Sequence, residues 1–128
     1  MRALLDTCTF IWLALDPDRI SEAAASTIND TSIELVLSQV SVMEIAMKHH
    51  SGKLPLPDAP QIWIPSRRDY FKLVDLPITE DVIYRSGQLP DGHKDPFDRL
   101  LAAHAIETGS ILLSPDRPLS DLGASRIW

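Results

Sequence analysis

The sequence contains a single cysteine, Cys8, among its 128 residues. An intramolecular disulfide bond is therefore excluded, and no Cys/His cluster has the ligand spacing of a zinc site. Proteins without disulfide bonds are typical of reducing compartments. We therefore expect a cytoplasmic protein.

Long apolar runs are also missing. The N-terminal run Ala3-Leu4-Leu5 is interrupted by Asp6, whereas a secretory signal needs about 7–15 consecutive apolar residues. A membrane-spanning helix needs roughly 20. The sequence therefore predicts neither a signal peptide nor a contact with a membrane.

Basic residues are few: 12 Lys and Arg stand against 18 Asp and Glu, which gives a net charge of -6. This balance argues against a protein that holds nucleic acid by bulk electrostatic attraction. It leaves nucleic acid open as a substrate, because divalent cations in an acidic pocket reverse the local sign of the charge. Nucleotide binding is disfavoured, because Gly52-Lys53 lacks the other residues of a P-loop and no G-x-G-x-x-G is present.

The residues that are present indicate a folded protein with a substantial core. With 45% hydrophobic residues, residues 1–128 are expected to form one domain. Short apolar strands are predicted at 3–5, 35–37, 72–76 and 111–113, and helices at 10–15, 22–28, 39–50, 79–87 and 96–108. The proline-rich segment 54–65 is predicted to be a loop or a broken helix. This alternation predicts an α/β sandwich around a mostly parallel sheet.

Two acidic residues follow predicted strands. Asp6 comes directly after the first strand, and Asp116 follows the strand at 111–113 by way of Ser114-Pro115. In an open parallel sheet, ligands bind beyond the carboxyl ends of the strands. Either aspartate alone could instead be a turn former.

Glu44 lies on the apolar side of its predicted helix, four residues after Val40 and three before Met47. A carboxylate at the edge of a packed face must be paired or bound to a metal ion, because burying it alone is unfavourable. An ion pair with Lys48 or a neighbouring arginine is the structural alternative.

The stretch HKDPFDRLLAAHA, residues 93–105, opens the strongest predicted helix. Asp95 followed by Pro96 fits the N-cap and first position of a helix, so capping explains Asp95 well. Asp98 shares a helix face with Leu101, Ala102 and Ala105 and is predicted to point towards the strand ends. Capping alone is the alternative for Asp98.

Four acids from separate segments, Asp6, Glu44, Asp98 and Asp116, could thus meet at one edge of the sheet. Clustered carboxylates repel one another and are stable at neutral pH chiefly when cations are bound. Hard oxygen ligands select Mg²⁺ or Mn²⁺ over Zn²⁺ or copper. Two such ions would suit the in-line attack of water on a phosphodiester.

Four stretches together resemble PIN-domain proteins, and most closely the VapC-like toxin ribonucleases of bacterial type II toxin–antitoxin pairs. They are LLDTCTFIW, LSQVSVMEIAMKHHSGKLPLP, HKDPFDRLLAAHA and LLSPD. The resemblance implies a three-layer α/β/α sandwich with a short, mostly parallel sheet of about 4–5 strands. It also implies an endoribonuclease that depends on Mg²⁺ or Mn²⁺. Its catalytic and metal-binding residues would be Asp6, Glu44, Asp98 and Asp116, with Thr7 and Asp95 as auxiliary residues.

The resemblance further implies an RNA substrate, a homodimer, and a VapB-like antitoxin that inserts a segment into the active-site groove. Basic residues are the candidates for contacts with RNA phosphates. They are Lys48, Lys53, Arg67, Arg68, Lys94 and Arg99.

The same acids would also fit two other functions. A phosphotransferase with Asp6 as nucleophile would resemble haloacid-dehalogenase-like proteins, but the stretch DTCTF lacks the second acid two residues later. A catalytically silent PIN-fold module, in which the acids form ion pairs and the protein acts through partners, stays open as the alternative.

Overall fold

A computed structural model describes residues 1–128. Its strands are β1 (Arg2–Leu5), β2 (Glu34–Ser38), β3 (Val74–Leu76), β4 (Ile111–Leu113) and β5 (Arg126–Ile127). Its helices are α1 (Thr7–Leu15), α2 (Glu22–Asn29), α3 (Gln39–His50), α4 (Pro60–Tyr70), α5 (Glu80–Gln88), α6 (Pro96–Thr108) and α7 (Pro118–Asp121). A short 3₁₀ turn, Pro17–Arg19, joins α1 to α2.

The five strands form one sheet in the order β3-β2-β1-β4-β5, and every pairing is parallel. The central strand β1 pairs Leu4 with Val36 on one side and with Leu112 on the other. These residues are fully buried, as expected for a parallel sheet covered on both faces. The predicted sheet of four or five mostly parallel strands is confirmed.

Helices cover both faces of the sheet and make three layers. On one face, Leu4, Val36 and Leu112 pack into a core with residues of α5, α6 and α7. On the other face, the neighbouring strand residues Leu5 and Leu37 pack with residues of α1, α3 and α4. The alternation follows from the strand repeat of two residues. The three-layer α/β/α sandwich is therefore confirmed.

Side-chain caps fix where the helices begin. Asp6 accepts a hydrogen bond from the backbone N–H of Thr9 at 2.8 Å at the start of α1. Ser38 caps α3, and Asp95 caps α6 with Pro96 in the first helical position. These caps satisfy backbone donors that a helix leaves unpaired. Because α1 and α3 start where β1 and β2 end, both helices begin at the carboxyl edge of the sheet.

The proline-rich segment differs from the prediction of a loop or broken helix, because α4 begins inside it. Pro60 occupies the first position of α4, where a missing N–H costs nothing, and Pro65 is tolerated within the helix. Trp63 and Ile64 are buried against the sheet. Their burial stabilises a helix that the proline content disfavours.

The predicted strand at 72–76 is shorter, since Lys72 adopts a left-handed conformation with φ of 55° and β3 starts at Val74. The short elements α7 and β5 were not predicted. None of the helices is both long and apolar enough to cross a lipid bilayer.

Candidate active site

Asp6 is the acid that follows the central strand. Its backbone N–H donates to the carbonyl of Leu113 at 3.1 Å, which ties the end of β1 to the end of β4. Its carboxylate accepts from the N–H of Thr9 and from the thiol of Cys8. Asp6 is only 5% exposed. Its position is therefore fixed by β1, β4 and the first turn of α1 together.

Glu44, in the second turn of α3, faces Thr7 at the start of α1. Its Oε1 accepts the hydroxyl proton of Thr7 at 2.6 Å. The Oγ of Ser41 lies 2.9 Å from the same hydroxyl. Because Thr7 has one O–H and donates it to Glu44, Ser41 donates to Thr7. The other carboxylate oxygen of Glu44 accepts from Lys48 one turn later.

Asp98 lies in the first turn of α6, where the helix dipole favours an acid. Its Oδ2 is 2.8 Å from Nε2 of His93, a residue of the loop that precedes α6. Both side chains are about one quarter exposed, at 24% each. Asp95 is exposed and binds the backbone N–H groups of Phe97 and Asp98, as its predicted role as an N-cap requires.

Asp116 lies in the loop that follows β4. Its backbone N–H donates to Oγ of Ser114 at 3.0 Å. The same buried hydroxyl is a hydrogen-bond partner of Asp6. Ser114 thereby links the two aspartates that follow β1 and β4.

The four predicted acids line one cavity of about 370 Å³. It lies at the carboxyl edge of the sheet and receives one acid from each of four separate segments. The complete lining is Asp6, Thr7, Cys8, Glu44, Asp98, Leu101, Pro115 and Asp116. Asp95 lies outside it.

Burial and neighbouring charges set the electrostatics of this cavity. Burial raises the pKa of Asp6, although hydrogen bonds from Ser114 and Thr9 oppose the rise. Burial also raises the pKa of Asp98, and the carboxylates of Asp95 and Asp116 add to the effect. Burial and the charge of Asp6 raise the pKa of the Cys8 thiol, which therefore stays protonated. In the cation-free protein, then, negative charge in the cavity is unfavourable.

The donor set suits a divalent cation. One ligand atom each from His93, Asp98 and Asp116 lies within 4.8 Å of the other two. Asp6 and Glu44 contribute further carboxylate oxygens to the same cavity. Oxygen-rich sites of this kind fit Mg²⁺ or Mn²⁺. The residues present therefore fit the metal ion that the resemblance implies.

None of the six basic residues predicted to bind RNA lines the cavity. The hydrogen bond from Lys48 to Glu44 raises the pKa of this lysine. Arg68 forms an ion pair with Asp75 at 3.8 Å, and the guanidinium of Arg67 stacks over Tyr70. Lys53 and Lys94 are exposed. Lys53 and Lys94 therefore remain available at the surface, whereas Lys48 holds Glu44 and the side chain of Arg68 is only 20% exposed.

Arg99 does not fit the predicted contact with phosphate. All of its five N–H groups donate to backbone carbonyls, two of them to Ser86 and one each to Leu89, Pro90 and His93. No donor is left for RNA. A contact of Arg99 with RNA would cost some of these bonds, and the role that the structure shows for Arg99 is to hold the loop between α5 and α6.

Three polar residues of the site were not singled out from the sequence: Ser41, His93 and Ser114. The two serines belong to stretches that were quoted for their acids, but their bonds to Thr7 and Asp6 depend on packing between distant segments. His93 had a local signal, since it stands five residues before Asp98 across a helix N-cap. A histidine at that spacing can fold back onto the first turn of the helix.

Comparison with known proteins matches residues 3–124 to the PIN domain. The chain is 32% identical over 117 residues to the ribonuclease VapC22 of Mycobacterium tuberculosis (strain ATCC 25618 / H37Rv), which covers 91% of this chain and 88% of that protein.

Two solved structures show the same fold at low sequence identity. VapBC2 from Rickettsia felis, bound to a DNA fragment from its promoter, superposes with a TM-score of 0.73 at 15% identity, covering 99% of this chain and 98% of that chain. DNA-bound VapBC from Salmonella typhimurium superposes with a TM-score of 0.68 at 21% identity, covering 100% and 97%. The match over residues 3–124 and the identity to VapC22 establish that this chain belongs to the PIN domain family and is VapC-like over most of its length.

Proposed function

We propose that this protein is a VapC-like endoribonuclease that hydrolyses phosphodiester bonds of RNA at the acidic cavity. The observation that carries the proposal is the convergence of Asp6, Glu44, Asp98 and Asp116 on one cavity. Such a cavity repels a phosphodiester unless cations neutralise the carboxylates. The ribonuclease name of the 32% identical relative supports RNA as the substrate.

The four carboxylates would hold Mg²⁺ or Mn²⁺. Such an ion, when bound, lowers the pKa of a water molecule and neutralises charge on the phosphate. The chain itself supplies rigid placement. Asp6 is fixed by its capping bond to Thr9, and Glu44 is held at one oxygen by Thr7 and at the other by Lys48. Preorganised charges of this kind need no rearrangement when RNA binds.

We also propose a VapB-like antitoxin as partner and a homodimer as the assembled state. The support for the antitoxin is that the similar solved structures include VapBC complexes, two of which are bound to DNA. Purification of the tagged chain from the cells that naturally produce it, followed by identification of bound proteins, tests this partner. A complex of defined stoichiometry with a small DNA-binding protein is expected, and a chain that retains no protein partner would contradict the proposal.

The ribonuclease proposal is tested by incubating total RNA with purified protein that has been separated from any antitoxin. Reactions contain Mg²⁺, Mn²⁺ or EDTA. The variants are Asp98→Asn and its neighbour Asp95→Asn, the matched control. Asparagine caps a helix as well as aspartate does, so Asp95→Asn should retain most of the activity. Asp98→Asn should remove it by taking a charge from the cavity without changing its volume.

Discrete fragments that require a cation and disappear in Asp98→Asn are the expected result. Equal losses in both variants would contradict the assignment of Asp98 over Asp95 as the functional acid. Cleavage that persists in EDTA would contradict a cation-dependent mechanism.

A catalytically silent binding module is the second candidate. The ion pair between Glu44 and Lys48 favours it, because this pair satisfies Glu44 without a cation. Calorimetric titration with Mn²⁺ separates the two candidates. Absence of both Mn²⁺ binding and RNA cleavage would support the silent module, whereas Mn²⁺ binding together with cleavage would exclude it.

A further inference from the structure

His93 lies beside the acidic cavity, outside its lining, in a loop that contains none of the four acids. It lies between α5 and α6, and its Nε2 is 2.8 Å from Oδ2 of Asp98. The second carboxylate oxygen of Asp98 makes no hydrogen bond with another side chain, and Asp98 lines the cavity. The histidine therefore engages one oxygen of this carboxylate and leaves the other available.

The backbone of this loop is held in place independently of the cavity. Nη1 of Arg99 donates to the carbonyl of His93 at 3.1 Å and to that of Pro90 at 2.9 Å. Gly92 has a φ of 109°, a conformation that a residue with a Cβ rarely adopts. The turn at Gly92 and the anchor at Arg99 together place His93 beside the first turn of α6.

We propose that His93 is a positioning residue of the cation site, where its Nε2–H orients the carboxylate of Asp98 and leaves the free oxygen to bind a divalent cation. The inference rests on the proposed function, since it assigns a role within the cation site of that nuclease. It adds a residue that the set of four carboxylates does not contain.

His93 could offer a ligand atom to the cation, but its hydrogen bond to Asp98 occupies Nε2 and so supports positioning. A ring nitrogen that donates its proton to Asp98 has no lone pair to offer a cation. The carboxylate also needs an orienting partner, because Asp116 supplies a ligand atom within 4.8 Å and two like charges at that distance repel. Hydrogen bonds to ligating carboxylates fix their orientation, and loss of such a partner typically weakens metal binding about 10–100-fold.

The test is calorimetric titration of the purified, antitoxin-free protein with Mn²⁺. The variants are His93→Ala, which removes the donor, and His93→Gln, whose amide N–H reaches about as far as Nε2. His50→Gln is the matched control, since His50 is exposed at the end of α3 and lies outside the cavity. His93→Leu replaces the alanine variant if the latter does not fold, as judged by circular dichroism.

We expect His93→Ala to weaken the affinity for Mn²⁺ about 10–100-fold. His93→Gln should restore the affinity to within a few-fold of the wild type, and His50→Gln should not change it. In RNA cleavage, His93→Ala should raise the Mn²⁺ concentration that gives half-maximal rate more than it lowers the rate at saturation.

Three outcomes would overturn the inference. Unchanged Mn²⁺ affinity in His93→Ala would show that the hydrogen bond does not serve the cation site. A glutamine variant as weak as the alanine variant would indicate that the imidazole itself is a ligand. A wild-type protein that binds no Mn²⁺ would refute the cation site of the proposed function, and the role of His93 with it.

Discussion

The pKa of Asp98 depends on its surroundings in the cavity. Burial and the carboxylates of Asp95 and Asp116 raise its pKa, whereas the hydrogen bond to His93 acts in the opposite direction. A carboxyl group whose pKa is raised by folding stabilises the folded state most when it is protonated. The contribution of Asp98 to the free energy of unfolding is therefore fully present below the ordinary aspartate pKa of about 3.9. It is lost as the pH rises through the raised pKa.

Replacement of Asp98 by asparagine should consequently stabilise the cation-free protein at neutral pH while it removes RNA cleavage. In EDTA, the Tm of Asp98→Asn should exceed that of the wild type at pH 7, and the difference should shrink at about pH 3, below the ordinary aspartate pKa of about 3.9. Calorimetric scans of both proteins at the two pH values measure this difference. A lower Tm for Asp98→Asn at pH 7 would contradict the electrostatic argument.

Thr7 gives a second prediction at this scale, because its single hydroxyl proton holds Glu44. Thr7→Val keeps the shape of the side chain and removes the donor, which leaves a buried carboxylate oxygen without that partner. The free energy of unfolding should fall by about 1–3 kcal/mol, and the cleavage rate by roughly 10–100-fold.

Urea denaturation and RNA cleavage assays measure the two effects of Thr7→Val. Thr7→Ser, which keeps the hydroxyl, should behave nearly as the wild type. Equal behaviour of the valine and serine variants would show that the hydrogen bond to Glu44 is not needed.

At the scale of elements, helix α6 and the loop before it depend on a single arginine. The guanidinium of Arg99 joins carbonyls at the end of α5 to those of the loop. A lysine has three donors on one nitrogen and cannot reproduce this planar arrangement. The loop that carries His93 therefore owes its shape to Arg99.

Arg99→Lys should lower the free energy of unfolding by at least about 2 kcal/mol, since several carbonyls lose a charged donor. Arg117→Lys is the matched control, because Arg117 is exposed and surface substitutions usually stay within about 0.5 kcal/mol. Urea denaturation of both variants measures the difference. Equal stabilities would show that the bonds of Arg99 contribute little.

Elements with a strong local signal were predictable from the sequence. The bounds of α6 follow from Asp95-Pro96 at its start and Gly109 at its end, where Gly109 adopts a left-handed conformation. The interior strands β1, β2 and β4 follow from their apolar runs. Helix α4 was not predictable in this way, because its prolines oppose a helix locally and the burial of Trp63 depends on the tertiary fold.

At the scale of the whole molecule, the acidic cavity could be predicted because the topology brings strand ends together. The parallel order β2-β1-β4 places the segments after these strands at one edge, so acids distant in sequence converge there. No comparable rule predicts which side chains on different elements meet, such as His93 with Asp98 and Ser41 with Thr7. The hydrogen bonds from Arg99 to backbone carbonyls could not be predicted from the sequence for the same reason.

The convergence of four carboxylates in a protein of net charge -6 should also make its stability depend on divalent cations. A ligand that binds only the folded state at 100 times its Kd adds about 2.7 kcal/mol. Mn²⁺ should therefore raise the Tm of the wild type clearly and that of Asp116→Asn much less. Thermal unfolding with and without Mn²⁺ measures this, and equal shifts in the two proteins would place the bound ion elsewhere.

The decisive measurement follows RNA cleavage and Mn²⁺ occupancy in the same samples, for the wild type and for Asp6→Asn, as the Mn²⁺ concentration is raised from a metal-free start. If the acidic cavity is the catalytic site of a cation-dependent ribonuclease, the cleavage rate of the wild type rises as the site fills. Asp6→Asn then stays inactive over the same range. Cleavage by the metal-free protein, or wild-type rates in Asp6→Asn while its site is empty, would contradict that conclusion.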